Sequence, residues 1–254
     1  MRGRWLLAML PAAAITGAAA WSAEPVLRIG PVTTRVTIEN QPVEVKVSGE
    51  VFASAAAGGD EAIRVALRAD LTDFQRNLTP ILGAELNQSN RCGERLHVLN
   101  AVLVPTAPAA LLTLKAHVEK WGCAKAFGKE VVKRLVGGDG TIGVRLTPQV
   151  ESGAIKLAAE VTSIEADGSL GELMQSGSLG DSIREKVRTS VVNAIQKSTD
   201  LKQTLPEALR EIVSIQEAKF AGTADGGPAL AISGEVRIPA AEARELLERL
   251  KAAR

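Results

Sequence analysis

Ser182-Ile-Arg-Glu-Lys-Val-Arg-Thr-Ser-Val-Val-Asn-Ala-Ile-Gln196 is the stretch on which the fold turns. Ile183, Val187, Val191 and Ile195 recur at every fourth residue, with Val192 and Ala194 widening the stripe, so the segment predicts an amphipathic helix with one broad apolar face. Ser182 and Glu185 have capping-box spacing and place the helix start at Ser182. On either side the apolar period changes to that of strands. Upstream, Thr141 to Val150 and Ala154 to Ile164 predict a hairpin turning at Glu151-Ser152-Gly153, with Ile142, Val144 and Leu146 facing inward. Downstream, Leu201, Leu205, Pro206 and Leu209 carry an apolar face around a break. Another hairpin then runs from Ile212 to Phe220 and from Leu230 to Ile238, turning through Ala224-Asp225-Gly226-Gly227. Pro239 opens a last amphipathic helix with Leu246, Leu247 and Leu250 on one side.

The earlier half follows a similar order. Val32 to Ile38 and Val43 to Phe52 read as strands joined at Asn40-Gln41-Pro42, and a small-residue loop leads to a strand at Ala62 to Ala69. A helix over Thr72 to Leu86 carries Phe74, Leu78, Ile81 and Leu82 on one stripe; Thr72 and Gln75 are spaced as a capping box, and Pro80 predicts a bend or an early end. Leu96 to Val104 and Leu111 to Trp121 form the next hairpin. Residues 124–135 read as a short helix or loop, Gly137-Gly138-Asp139-Gly140 as a breaker, and the glycine-rich 168–171 and 177–180 as flexible. The order divides the chain into two similar units, 24–136 and 137–254, after a leader at 1–20. Glycines inside strand patterns, Gly49, Gly143 and Gly234, are where a sheet can bend. The fold class is α+β, with strongly curved antiparallel sheets wrapped around long amphipathic helices.

Arg2 and Arg4, the apolar run from Trp5 to about Ala14 and the small residues Gly17-Ala18-Ala19-Ala20 have the form of a secretory signal peptide cleaved after Ala20. Cleavage after Ala23 would set Trp21 where a small side chain is preferred. The alternative, an uncleaved anchor, is disfavoured by the shortness of the run and by Pro11. Export predicts a periplasmic or secreted protein and makes a disulfide the natural state of Cys92 and Cys123, the chain's only cysteines. A hairpin centred between Ala107 and Pro108 puts the two directly opposite each other, and closing that loop contributes roughly 3 to 4 kcal/mol. In the same register His97 faces Val118 and lies across the sheet from His117, so the two histidines form no metal site.

Charge nearly cancels at +1, aromatic residues make up 3% of the chain and tyrosine is absent. That balance offers no net attraction for nucleic acid or an anionic membrane surface, and the scarcity of stacking residues further weakens a nucleic-acid reading. No Gly-x-Ser-x-Gly elbow or phosphate loop occurs, and two histidines on one hairpin offer little to a Ser-His-Asp arrangement, so the reading is non-enzymatic, without cofactor. Asn77-Leu78-Thr79 and Asn87-Gln88-Ser89 match glycosylation acceptors.

The run from Leu146 to Leu157, the helix that follows, Leu205-Pro206-Glu207-Ala208-Leu209 and Ala229-Leu-Ala-Ile-Ser-Gly-Glu-Val236 together resemble bacterial envelope members of the tubular lipid-binding (TULIP-like) superfamily. The resemblance covers about 95 residues well and the N-terminal half more loosely. It implies a curved sheet around a helix, an elongated apolar cavity, and an exported binder or carrier of lipid or another apolar molecule in the cell envelope, with transient membrane or envelope-protein contact. Candidate lining residues are Phe74, Leu78 and Leu82 in the first unit and Ile183, Val187, Val191 and Ile195 in the second; the same side chains serve equally as ordinary core. The alternative is a structural or protein-interaction domain of the envelope in which these elements close without a cavity.

Overall fold

In the computed structural model the described residues are 24–55, 60–87, 91–127, 129–175, 177–196 and 214–239, with Ala241, Glu242, Glu245 and Glu248 beyond them. The expected leader, the break at 201–209 and the apolar side of the last helix lie outside the described residues. Alternating apolar residues build the strands β1 (Leu27–Ile38), β2 (Gln41–Ala55), β3 (Asp60–Asp70), β4 (Gly93–Thr106), β5 (Ala109–Ala126), β6 (Lys129–Glu151), β7 (Ala154–Ala166), β8 (Ser214–Gly222) and β9 (Pro228–Pro239). Three helices, α1 (Thr72–Leu86), α2 (Gly168–Gln175) and α3 (Ser178–Gln196), complete the described elements.

The strands form two antiparallel sheets, ordered β1-β2-β3-β9-β8 and β4-β5-β6-β7. Short turns set most neighbours. Glu39 and Asn40 between β1 and β2, and Ser152 and Gly153 between β6 and β7, all take positive φ, the geometry whose twist matches a two-residue hairpin. The exception is β3 with β9, a pairing between the early and late parts of the chain, with Val65 opposite Gly234. Position 136/137, where the sequence reading divides the chain, lies inside β6. The edge strand β8 runs against all four strands of the other sheet, and Phe220 N donates to Pro108 O at 2.9 Å.

Register shifts fall beside the three glycines expected at bends. They lie between Ile29 and Val32, where Ile29 faces Gly49, between Gly143 and Val144, and between Ile215, opposite Gly234, and Glu217. A bulge locally strengthens twist and re-aims the strand.

α1 holds its expected bounds, and Phe74, Leu78, Ile81, Leu82 and Leu86 are buried along it. Its start differs from the expected capping box. Asp70 Oδ1 accepts from Thr72 N at 2.8 Å, and no side chain caps from the N-cap position, Leu71. Gln75 is used elsewhere. Its Oε1 accepts from Leu103 N at 2.7 Å, while its Nε2 donates to Ala101 O at 3.3 Å. Thr79 Oγ1 accepts from Ala101 N at 3.0 Å and Asn87 Oδ1 from Val98 N at 2.7 Å. Strand β4 is the edge of its sheet, so these side chains satisfy amides that no strand pairs. Pro80 does not end the helix. It lies on the exposed side, and the buried residues Leu78, Ile81 and Leu82 hold the turn that lost an amide.

Three further expectations are corrected. Within 124–135, residues 124–126 and 129–135 are strand rather than helix, with Ala124 opposite Val131 and Phe127 in the turn between them. Gly137-Gly138-Asp139-Gly140 does not break the chain: all four pair with β5, from Glu119 to Ala116, and this continuous ladder overrides weak local propensity. The glycine-rich stretches 168–171 and 177–180 are helical over most of their length, and α3 starts at Ser178, which places Ser182 inside the helix and removes its capping role. In both stretches the first glycine has positive φ, and a Cβ on the second would collide with a backbone carbonyl, Ala166 O at Gly171 and Met174 O at Gly180. Gly-Ser-Leu-Gly is thus a tight helix-starting joint used twice.

Replacing Gln75 with Ala leaves the Leu103 amide without its partner. The expected cost is about 1–3 kcal/mol in urea unfolding, with faster hydrogen exchange at Leu103. Unchanged stability together with unchanged exchange would show that the edge needs no clasp.

Candidate functional site

The interior is where the seven expected lining residues meet. Phe74, Leu78 and Leu82 come from α1, and Ile183, Val187, Val191 and Ile195 from α3. All seven belong to one apolar cluster that also takes in Val43 and Val45 of β2, Leu112 and Leu114 of β5, and Ile142, Val144 and Leu146 of β6. α1 lies against β4 and β2, α3 lies against β7, and the two helices touch each other. The four-stranded sheet therefore has a helix at each edge, and the helices join across it. Every one of the seven is 0–2% exposed, their surfaces taken up by one another and by the sheets. Among the described residues Ser190 is the buried polar side chain. Such an interior has little to hydrogen-bond with.

α3 is fastened at its N-terminal part by Glu94, at the start of β4. Lys120 of β5 donates to Glu94 Oε1, and Ser182 Oγ donates to Oε2 at 3.4 Å. The hydrogen bond from Lys120, outweighing partial burial, holds the Glu94 carboxyl below the usual range. Lys186, one helical turn on from Ser182, is pushed down by burial, which Glu94 partly offsets. The Ser182 hydroxyl, expected as a cap, instead ties helix to sheet.

Cys92 and Cys123 are joined, with Cα atoms 5.8 Å apart. The hairpin register beneath them differs from the expected one. From Thr106 and Ala109 back to Asn100 and Lys115 it follows the expected pairing, then a bulge at Leu99 shifts it by one residue. Val118 now faces Leu96, and His97 stands directly opposite His117 rather than across the sheet from it. His117 Nδ1 lies 2.6 Å from Asp139 Oδ1, and its Nε2 3.7 Å from Glu119 Oε1. The three potential metal ligands that converge among the described residues are Cys92, Cys123 and Glu130, and their thiols are spent in the disulfide. Both glycosylation-type asparagines have structural work. Asn77 Nδ2 donates to Asp73 O at 2.9 Å, and Asn87 holds β4.

No protein family, curated protein or solved structure matches this chain.

On the outer side, an open cleft of about 560 Å³ is lined by Lys115, Asp139, Thr141, Glu165 and Asp167 among others. Its lining is mostly polar, with Ala166 also packed against the apolar cluster. The sequence reading missed it because its residues come from β4, β5, β6, the end of β7 and α2, and meet only when the sheet is paired. More telling is the exposed end of the β5–β6 hairpin, also missed, where Phe127, Val131 and Leu135 face solvent.

Glu94→Gln tests the α3 attachment. A depressed carboxyl stabilises the fold above the ordinary glutamate range and loses that contribution as pH falls through its folded value. The variant is therefore expected to be less stable than wild type at neutral pH. The gap should narrow as the medium is acidified below the ordinary glutamate range, read by thermal unfolding across pH. A gap independent of pH would remove the ionised carboxylate from the account.

Proposed function

We propose that this protein binds lipid or another elongated apolar molecule between its two long helices and the sheets that flank them, and carries it in the cell envelope. The observation that supports this most is the continuous aliphatic interior shared by α1, α3 and both sheets, with almost no polar group in it. Bulges beside Gly49, Gly143 and Gly234 support sheets that curve around the helices. The helix at each edge of the four-stranded sheet supports the same arrangement. The disulfide and the lack, among the described residues, of a helix long and apolar enough to cross a membrane are compatible with a protein outside the cytoplasm.

Loading works by parting α1 and α3 from the sheet. In the arrangement described the seven side chains are buried in one cluster with the sheets, so each methylene of an incoming chain, at about 0.8 kcal/mol, replaces burial the protein already has. Net affinity comes from apolar surface that the ligand alone takes out of water. Complete burial of all seven residues favours the second reading, an envelope interaction domain whose helices stay closed.

One experiment separates the two. Native mass spectrometry and organic extraction of the purified protein are expected to yield bound lipid. Val191→Trp, which fills space between α3 and its neighbours, is expected to remove that lipid while costing about 1–3 kcal/mol in stability. Protein that carries no extractable apolar molecule, with Val191→Trp changing stability alone, would leave the closed domain as the function.

A further inference from the structure

We infer that the end of the β5–β6 hairpin is a membrane-docking finger that inserts Phe127 into the surface of an anionic bilayer. Strand β4 begins at Gly93, opposite Trp121, and β7 ends at Ala166, opposite Gly140. Past those points, among the described strands, β5 and β6 pair only with each other, as a two-stranded ribbon reaching about 15–20 Å from Gly122 to its tip. A ribbon of this kind is marginally stable alone. The Cys92–Cys123 bond pins its base to the chain before β4.

The ribbon has two unlike faces. One is covered at its base: Arg95 lies over Trp121 at 4.2 Å, Arg134 pairs with Glu119 at 3.0 Å, and Arg91 pairs with Glu130 at 3.2 Å. On the other, Lys129, Val131 and Lys133 alternate along β6 and share a side. Leu135 joins them: its side chain lies over Gly122, the partner of Lys133, 3.1 Å from where a Cβ would stand. Val131 is 51% and Leu135 63% exposed, and Phe127 at the tip is fully exposed. Phe127 also has φ +50, a conformation that a bulky residue adopts at a cost glycine or asparagine avoids.

Charge selects the occupant. Between Gly122 and Val136 the sequence has Lys125, Lys129, Lys133 and Arg134 against the single carboxylate of Glu130. Glu130 is held by Arg91, and Arg134 by Glu119. Lysines interleaved with aliphatic residues beneath a projecting aromatic ring fit the interface of an anionic bilayer, where ring and aliphatic groups sink and ammonium groups meet phosphate. The chain's net charge of +1 conceals this local excess. The inference stands apart from the apolar interior, since a closed core leaves the finger unchanged.

Sedimentation of the full chain with phosphatidylcholine vesicles, and with vesicles that also contain phosphatidylglycerol, tests it. Wild type is expected to pellet preferentially with the anionic vesicles. Phe127→Ser should weaken that binding about tenfold at unchanged melting temperature. Lys129→Glu/Lys133→Glu should abolish the preference for phosphatidylglycerol. All variants retain any N-terminal apolar stretch, so the comparison isolates the finger. Equal pelleting with both vesicle types, or variants that bind like wild type, would overturn the inference. So would light scattering showing that Phe127→Ser dissolves a dimer, which would give the finger to a second copy.

Discussion

The clasp of α1 on the edge of β4 is the contact from which the rest of the arrangement follows. An edge strand presents amides that must find partners. Here Gln75, Thr79 and Asn87 supply them from a helix whose other face carries Phe74, Leu78 and Leu82 into the interior. The helix is thus fixed in rotation by hydrogen bonds on one side and by apolar burial on another. β2 then fits against it, with Glu44 N donating to Asp73 Oδ2 at 2.8 Å, and α3 meets it across the apolar cluster. Rotating α1 by half a turn would both expose the stripe and leave the β4 amides without partners.

Electrostatics adds orientation rather than much energy. Most ion pairs are exposed and each contributes little. Glu94 differs because it joins three elements, β4 through its own backbone, β5 through Lys120 and α3 through Ser182, with its side chain 25% exposed. It sets where α3 begins to lie over the sheet, while the aliphatic residues from Ile183 onward do the holding.

Local elements with a strong period were legible in the sequence, and pairings set by distant partners were not. The bounds of α1 and the two-residue turn at Ser152-Gly153 were readable because helix periodicity and turn chemistry are local. The long β6 was not, because Gly137 to Gly140 look like a break until β5 lies alongside them. The start of α3 was misplaced by four residues because Gly-Ser-Leu-Gly carries no helical period, and its fit depends on the carbonyls of Ala166 and Met174. The register at His97 turned on one bulge at Leu99, which no local signal marks. All seven interior positions came from periodicity alone, since the stripe that makes a helix amphipathic is also the surface it buries. The finger escaped notice because Phe127 among lysines reads as a helix fragment until strand pairing gives it two faces.

The pairing of β3 with β9 has a consequence for the order of assembly. β3 cannot gain its second neighbour until β9, late in the chain, is available, and Val65 must find Gly234 across most of the protein's length. Contacts of such separation form slowly, since a long loop must close before they repay its entropy. Until then one side of β3 is open, and the inner residues Ile63 and Val65, buried in the finished fold, depend on that late arrival. A nascent chain therefore keeps this sheet unfinished until its late strand has been made, and the exposed edge of β3 is closed by one of the last segments to appear.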